Sequence, residues 1–405
     1  MKQKKLICTN CKKTYPLNRV YPRCDECSEP LEVGAQYIEP DFPNITEGNS
    51  LTQTILDRYS AFFPFKNKVN PILSLHEGFS PLIDTPALAQ ALGVARISFK
   101  NETQNPTWSF KDRGTVTGLA HALELGYNRI GTISTGNMAV SVAAYGARAG
   151  VETLILVSAT LPPEKIQPIA IYHPTLIKVK GDYGQLYFDS LELGKQHQIY
   201  FINSDVPFRV EGSKTIAFEL CEQLQFKVPD YVVVPTSSGG NFRGILKGFE
   251  EFKLAGLINK IPRMVCAQAS GCSPIYNAYK NNQETITRID KPDTLCHAID
   301  NPFPPSGNQV LRKLKEHNGI AVAVSDAEVI KAQQKMAGCG IFGQPDSSVP
   351  LAAIEKMHRE KKLKPSDTIV LIVTGSGLKY PAAFEKHRMN IQQCSITNLK
   401  EKVRN

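Results

Sequence analysis

Short apolar runs alternate with helical stretches along most of this chain. Runs rich in β-branched residues occur at 155–158, 231–235 and 368–374, and each has the length and composition of a buried strand. Small and apolar residues follow a helical spacing at 137–150 and 241–256. Strands that alternate with helices predict an α/β fold built on a largely parallel sheet.

A further short run, GTI at 131–133, and the runs at 231–235 and 368–374 end in loops of glycine, serine and threonine. The loops read STGN at 134–137, TSSGGN at 236–241 and TGSG at 374–377. Ligands of open α/β sheets bind beyond the carboxyl ends of the strands, and a glycine-rich turn that enters a helix presents N–H groups to an anion. The loops therefore predict one crevice for an anionic ligand. They lack the spacings of the common nucleotide-binding loops, which argues against kinases and dehydrogenases.

Composition narrows the class of protein further. The chain has 405 residues, of which 42% are hydrophobic and 21% charged, as expected for a globular protein of two or three domains. No apolar run approaches the roughly 20 residues of a membrane span, and no secretory signal is visible, so we expect a cytoplasmic protein without a membrane partner. The net charge of +9 is dispersed along the chain, which favours a solvated basic surface over a nucleic-acid partner.

Four of the ten cysteines lie within the first 27 residues. They form two C-x2-C pairs separated by twelve residues, and the four are Cys8, Cys11, Cys24 and Cys27. Two such pairs can place four thiolates tetrahedrally around Zn²⁺, and four protein ligands leave no open position for catalysis. This pattern predicts a structural zinc ribbon over residues 1–34. The other six cysteines are scattered, and we expect them to be buried small hydrophobic residues.

The most informative stretch is NPTWSFKDRG at 105–114. A lysine beside an aspartate and an arginine is ordinarily a solvated surface cation. Near three anion-binding loops, however, Lys111 is a candidate for Schiff-base chemistry.

This stretch resembles the NPTGSFKDRG signature of fold type II pyridoxal-phosphate enzymes. STGNMAVSVAAYGARAG at 134–150 and TGSGLK at 374–379 resemble two further motifs of that superfamily, and NSDVPFRVEGSKT at 203–215 is most similar to the threonine synthase family. The resemblance covers roughly residues 50–390. It implies an α/β fold type II enzyme with an N-terminal zinc ribbon and, as the expected assembly, a homodimer.

The same resemblance implies a division of the chain into domains. Residues 35–115 and 207–405 would form a large domain that binds the cofactor. Residues 116–206 would form a small domain that carries the Asn137 loop.

Candidate roles follow from the resemblance residue by residue. Lys111 corresponds to the catalytic lysine that holds pyridoxal phosphate as a Schiff base and then acts as a general base and acid. Asn137 corresponds to the group at the cofactor's ring hydroxyl, Thr374 to the hydroxyl at its pyridine nitrogen, and 237–241 to the loop around its phosphate. The residues expected to bind the cofactor are Lys111, Asn137, Ser237, Ser238, Gly239, Gly240, Asn241 and Thr374.

A second set of residues corresponds to the groups that bind the substrate in this family. The implied substrate is a phosphorylated amino acid. The residues expected to bind it are Ser134, Thr135, Asn203, Ser204 and Arg209. The guanidinium of Arg209 offers a planar fork of donors suited to phosphate. The alternative for Arg209 is a surface ion pair with a carboxylate such as Glu211.

The implied reaction converts O-phospho-L-homoserine and water to L-threonine and phosphate. Four departures from the family pattern leave alternatives open: Trp108 replaces a glycine, Met138 replaces a threonine, and segments 300–305 and 344–348 differ. Trp108 and Met138 are equally interpretable as wall packing. One alternative is a lyase or β-replacement enzyme that acts on another phosphorylated amino acid such as O-phosphoserine. An alternative of another class is a zinc-ribbon protein that binds nucleic acid and has an inactive body.

Overall fold

The computed structural model describes residues 4–21, 23–35, 53–134, 136–181, 183–387, 391–398 and 402–403. Its strands form three sheets, two of which are mainly parallel and flanked by helices. The α/β prediction is therefore confirmed.

The first sheet belongs to the predicted ribbon. Its three short strands are antiparallel in the order β2-β1-β3, with β1 Lys5–Cys8, β2 Thr14–Pro16 and β3 Leu31–Val33. Leu6, Leu31 and Val33 are buried against Phe208, which lies outside the ribbon. The ribbon is thus packed on the rest of the protein.

The second sheet has six strands in the order β12-β11-β10-β13-β5-β4, and only the edge strand β4 is antiparallel to its neighbour. Its strands are β4 Leu82–Asp84, β5 Arg96–Asn101, β10 Tyr231–Pro235, β11 Arg263–Ala269, β12 Ile320–Val324 and β13 Thr368–Val373. The third sheet has four parallel strands in the order β8-β7-β6-β9. They are β6 Arg129–Ile133, β7 Glu152–Ser158, β8 Thr175–Val179 and β9 Tyr200–Phe201.

Helices connect the strands and cover the sheets. In chain order they are α1 Ile55–Arg58, α2 Pro86–Ala91, α3 Lys111–Glu124, α4 Asn137–Ala149, α5 Pro163–Ala170, α6 Tyr183–His197, α7 Pro207–Gln223, α8 Gly240–Leu254, α9 Pro274–Lys280, α10 Gly307–Glu316, α11 Asp326–Gly338 and α12 Pro345–Arg359. Among the residues that the structure describes, no helix is long and apolar enough to cross a membrane.

Strand β10 shows why the strands of the six-stranded sheet are so apolar in sequence. Val232 and Val234 pack into one hydrophobic cluster, whereas Tyr231 and Val233 pack into another on the opposite face. Successive side chains of a strand point to opposite faces, and a parallel sheet covered on both sides needs apolar residues on both. The predicted strands and helices accordingly match β7, β10, β13, α4 and α8 to within a few residues. The four strands of the third sheet fall inside 116–206, while the domain boundaries themselves stay predictions.

Candidate active site

The three glycine-rich loops converge on one cavity of about 720 Å³. Ser134 and Asn137 line it after β6, residues 236–239 after β10, and Thr374 after β13. Strand β6 belongs to the four-stranded sheet, whereas β10 and β13 belong to the six-stranded sheet. The cavity therefore lies where the carboxyl ends of strands from the two sheets meet.

Lys111 is the first residue of α3 and reaches this cavity. No ion pair joins its ammonium to a carboxylate within the described part of the chain, and its Nζ lies 4.4 Å from the centre of the Phe110 ring. Burial and, to a lesser extent, the positive charge of Arg209 together lower the pKa of Lys111 to about 7, against the opposing effect of the Asp346 carboxyl. A large fraction of this amine is therefore neutral near pH 7, as a nucleophile or general base requires.

The loop after β10 forms a tight cradle at the start of α8. Gly239 has φ +95°, a conformation that favours glycine. A Cβ on Gly240 would lie 2.4 Å from the backbone oxygen of Ser204, so the two backbones touch. Both polar atoms of the Asn241 amide are buried without a hydrogen-bond partner in the ranges described. Such groups are rare unless a ligand or water completes them, and the start of a helix favours an anion.

A carboxyl group lies at the opposite wall of the cavity. The Thr374 hydroxyl donates to Asp346 Oδ2 at 3.4 Å, and its Oγ1 lies 3.1 Å from Ser347 Oγ. Burial raises the pKa of Asp346 to about 6. No role for Asp346 was predicted, although the departure of 344–348 from the family pattern marked this segment.

Arg209, in the first turn of α7, is the second cation of the cavity wall. Its guanidinium is only 3% exposed and donates to Thr115 Oγ1 at 3.0 Å and to the Lys111 backbone oxygen at 3.2 Å. Burial lowers the pKa of Arg209 to about 10. Across the described ranges, no carboxylate forms an ion pair with it.

The alternative of an Arg209–Glu211 surface ion pair is wrong. Glu211 is fully buried, and its two oxygens bind Lys214 and Lys247 at 2.5 Å each. A buried guanidinium without a carboxylate is costly, and an anionic ligand would offset that cost.

The other predicted substrate groups differ in their placement. Ser134 and Ser204 line the cavity, whereas Thr135 lies outside the described residues. The Asn203 side chain accepts from the Ile133 N–H at 3.2 Å and donates to Ser190 Oγ at 3.2 Å. Asn203 thus braces the end of β6 in this structure, and its predicted contact with substrate stays a prediction.

All four sequence departures reach the cavity wall, and two of them are single side chains, Trp108 and Met138. Met138 is buried in the main hydrophobic cluster, while Trp108 is 51% exposed and has φ +62°.

The Asn137 side chain donates to Gln344 Oε1 at 2.8 Å. Lys379, to which sequence reasoning assigned no role, donates to the Thr107 carbonyl at 2.6 Å, and burial lowers its pKa to about 8.

The four N-terminal cysteines come together away from this cavity. Their sulfur atoms all lie within 4.8 Å of one another, with Cys8–Cys27 at 3.4 Å and Cys11–Cys24 at 3.5 Å. Four sulfurs bound tetrahedrally to Zn²⁺ at about 2.3 Å would be about 3.8 Å apart. The donor set and its spacing therefore fit a thiophilic metal ion.

A lysine of lowered pKa, an anion-binding glycine loop and a crevice at the ends of parallel strands together define a fold type II pyridoxal-phosphate enzyme. The family described as "Pyridoxal-phosphate dependent enzyme" matches residues 73–375. Among solved structures, maize serine racemase has a TM-score of 0.64 at 19% identity, covering 80% of this chain and 91% of that one. Diaminopropionate ammonia lyase from Escherichia coli has a TM-score of 0.65 at 16% identity, covering 80% and 94%.

Relatives with higher sequence identity indicate the family within this class. The threonine synthase of Methanocaldococcus jannaschii is 37% identical over 93% of this chain and 93% of its own. That of Methanosarcina acetivorans is 34% identical over 93% and 92%, and that of a Bacillus species 33% over 86% and 96%. The chain belongs to the threonine synthase family of pyridoxal-phosphate dependent enzymes.

Proposed function

We propose that this protein converts O-phospho-L-homoserine and water to L-threonine and phosphate. One observation carries the proposal: two different groups suited to an anion line the cavity. The loop 236–241 provides one, and the buried, carboxylate-free guanidinium of Arg209 provides the other. Pyridoxal phosphate needs only one phosphate site, so the second suits a substrate that carries its own phosphate.

The residues present fit pyridoxal phosphate. The unpartnered amide of Asn241 and the close-packed Gly239–Gly240 turn suit its phosphate, and the Lys111 amine of lowered pKa suits its aldehyde. Thr374, whose hydroxyl is buried beside Asp346, lies at another wall of the same cavity and suits the ring. When bound, the cofactor withdraws electrons from the substrate's Cα and so makes neighbouring C–H bonds acidic.

Lys111 then moves the protons. An amine with a pKa of about 7 exchanges protons near neutral pH with little energetic cost in either direction. In the proposed reaction it removes one proton from Cα and one from Cβ. The C–O bond at Cγ breaks with departure of phosphate, the two protons are returned to Cγ and Cα, and water gives its hydroxyl to Cβ and its remaining proton to the phosphate. Arg209 and Ser204 hold the phosphate, so that it is bound before and after it leaves Cγ.

The direct test is product formation by the cofactor-loaded protein. Incubation with O-phospho-L-homoserine should release L-threonine and phosphate in equal amounts, whereas O-phospho-L-serine should release little phosphate. Faster phosphate release from O-phosphoserine would favour the alternative lyase or β-replacement enzyme, and release from neither would refute the proposal. Lys111→Ala is the matched control, because it removes the proton-transfer group but leaves the Arg209 site.

We also propose that the four cysteines hold a structural Zn²⁺. Support comes from the sulfur spacing and from a donor set that leaves no open position. A cytoplasmic location and a homodimer stay predictions.

A further inference from the structure

Arg23 connects the cysteine ribbon to two separate places beside the active site. It directly precedes Cys24, and its side chain is 16% exposed. One end of its guanidinium, Nη1, donates to Asp205 Oδ2 at 2.9 Å, and the other, Nη2, donates to the Pro305 carbonyl at 2.9 Å. One planar group thus fixes the distance between two segments that are 100 residues apart, at 205 and 305.

The Asp205 contact leads to the proposed site for the substrate phosphate. Asp205 follows Ser204, which lines the cavity, and lies just before α7, whose first turn carries Arg209. Its side chain is 2% exposed, and its second oxygen accepts from the Tyr187 hydroxyl at 2.6 Å. Both oxygens are therefore occupied, and the carboxylate is held in place two residues before α7 begins.

The Pro305 contact leads to the proposed site for the cofactor phosphate. The next residue, Ser306, donates its N–H to the Ser238 carbonyl at 3.0 Å. Ser306 Oγ also accepts from Arg243, which reaches back to the ribbon through the Leu31 carbonyl at 3.1 Å. Two arginines therefore connect the ribbon to the support of the glycine loop.

We propose that Arg23 is a positioning residue for this reaction: it sets the spacing between the loop for the cofactor phosphate and the helix turn that carries Arg209. The ribbon then serves catalysis by alignment and contributes no group to the cavity wall at these points. The proposal deepens the proposed function and rests on its assignment of the two anion sites.

Arg312 provides a matched control. It too is an arginine that joins the ribbon to the body, with its Nη2 2.6 Å from Glu29 Oε2 and a side chain that is 25% exposed. Neither arginine lines the active-site cavity, but Asp205, a partner of Arg23, follows the cavity residue Ser204, whereas Glu29, the partner of Arg312, has no cavity residue beside it in the chain. Arg23→Ala and Arg312→Ala therefore both remove contacts between ribbon and body, but only the first removes contacts to the segments that flank the anion sites.

The test compares binding and turnover in these two variants. Because both segments lose a charge-assisted hydrogen bond, Arg23→Ala should raise KM for the phosphorylated substrate and the inhibition constant of inorganic phosphate by on the order of tenfold, which corresponds to about 1.4 kcal/mol, with a smaller change in kcat. The dissociation constant of pyridoxal phosphate should also rise; quenching of Trp108, the single tryptophan, measures it. Arg23→Lys should restore only part of the loss, since one ammonium cannot replace the two ends of the fork. Arg312→Ala should leave all three constants unchanged.

Asp205→Asn keeps a side chain that can accept from Tyr187 and removes the ion pair, so it tests the same link if Arg23→Ala does not fold. Equal behaviour of Arg23→Ala and Arg312→Ala, or a change in thermal stability alone, would overturn the proposal. Failure of the proposed function can be told apart from failure of the positioning role. If the wild-type protein makes no threonine, the effect of Arg23→Ala can still be measured as a change in affinity for pyridoxal phosphate and inorganic phosphate. A protein that makes threonine but is indifferent to Arg23→Ala refutes only the positioning role.

Discussion

Arg209→Met tests how the cavity recognises its substrate. The substitution keeps an apolar stem of similar length and removes the guanidinium. Arg209 is 3% exposed, and among the described residues its guanidinium binds Thr115 Oγ1 and the Lys111 carbonyl. No cofactor contact is assigned to Arg209, so uptake of pyridoxal phosphate should remain measurable. The specificity constant for O-phospho-L-homoserine should fall sharply.

The size of that loss follows from the hydrogen bonds that the guanidinium can offer. Charge-assisted hydrogen bonds contribute about 1.5–3 kcal/mol each, and a planar fork can make two to one phosphate. Contacts to Thr115 and Lys111 already occupy part of this capacity, so the net loss should be about 1.5–4 kcal/mol. Since about 1.4 kcal/mol corresponds to a factor of ten, kcat/KM should fall about 10- to 1000-fold. Arg209→Lys should recover part of it.

Two further readouts separate recognition from folding. The charge of Arg209 lowers the pKa of Lys111, so its removal should raise that pKa and move cofactor uptake by the apoprotein to higher pH. Arg209 is buried without a carboxylate, so the thermal midpoint of the apoprotein should not fall.

Arg113→Met is the matched control, because Arg113 is equally buried but bound to Glu102 at 2.6 Å and Glu219 at 2.5 Å. Its loss should cost about 3–5 kcal/mol of folding free energy, because it leaves the buried carboxylate of Glu102 without a cation and Glu219 with Lys100 alone. Near-normal kinetics in Arg209→Met, or a loss of activity that only parallels a loss of stability, would refute this account of the second anion site.

Three further predictions address the cofactor loop, the lysine and the ribbon. With a pKa of about 7, Lys111 in the apoprotein should be labelled by pyridoxal phosphate and borohydride with a half-point near pH 7, rising with pH as the neutral amine forms; a half-point above pH 9 would contradict the lowered pKa. Gly240→Ala would place a Cβ 2.4 Å from the Ser204 oxygen. Because overpacking typically costs about 1–3 kcal/mol, affinity for pyridoxal phosphate should fall about tenfold. Unchanged affinity in a cofactor titration would show that the two backbones can move apart. Cys24→Ser should abolish stoichiometric zinc by metal analysis and lower the thermal midpoint, whereas Cys394→Ser, at an exposed cysteine, should do neither; full zinc content in Cys24→Ser would exclude the four-thiolate site.

The sequence predicts the fold well where the signals are local. Strands β10 and β13 are continuous β-branched runs, and their loops contain the glycines that a turn into a helix needs. Parallel strands place their carboxyl ends at one edge, so the convergence of the loops after β10 and β13 follows from their shared sheet. The loop after β6 joins them only because the two sheets pack together. The position of Lys111 at this crevice rested on the resemblance.

The contacts that tune the site are not local, and the sequence did not predict them. Arg23 meets partners 182 and 282 residues away. Glu211 does not pair with Arg209 because its carboxylate binds two lysines, one on α7 and one on α8. Asp346 gains its raised pKa from burial that only the folded chain creates. A sequence pattern shows which groups are present, but tertiary packing decides which of them are paired.

The most direct test of the proposed reaction is to run it in H₂¹⁸O. If water adds at Cβ and the phosphate leaves with its bridging oxygen, mass spectrometry should find one ¹⁸O atom in the L-threonine hydroxyl and none in the phosphate released at first turnover. Release of ¹⁸O-labelled phosphate together with unlabelled homoserine would mean that water attacks phosphorus. That result would contradict the assignment of this cavity to threonine synthesis.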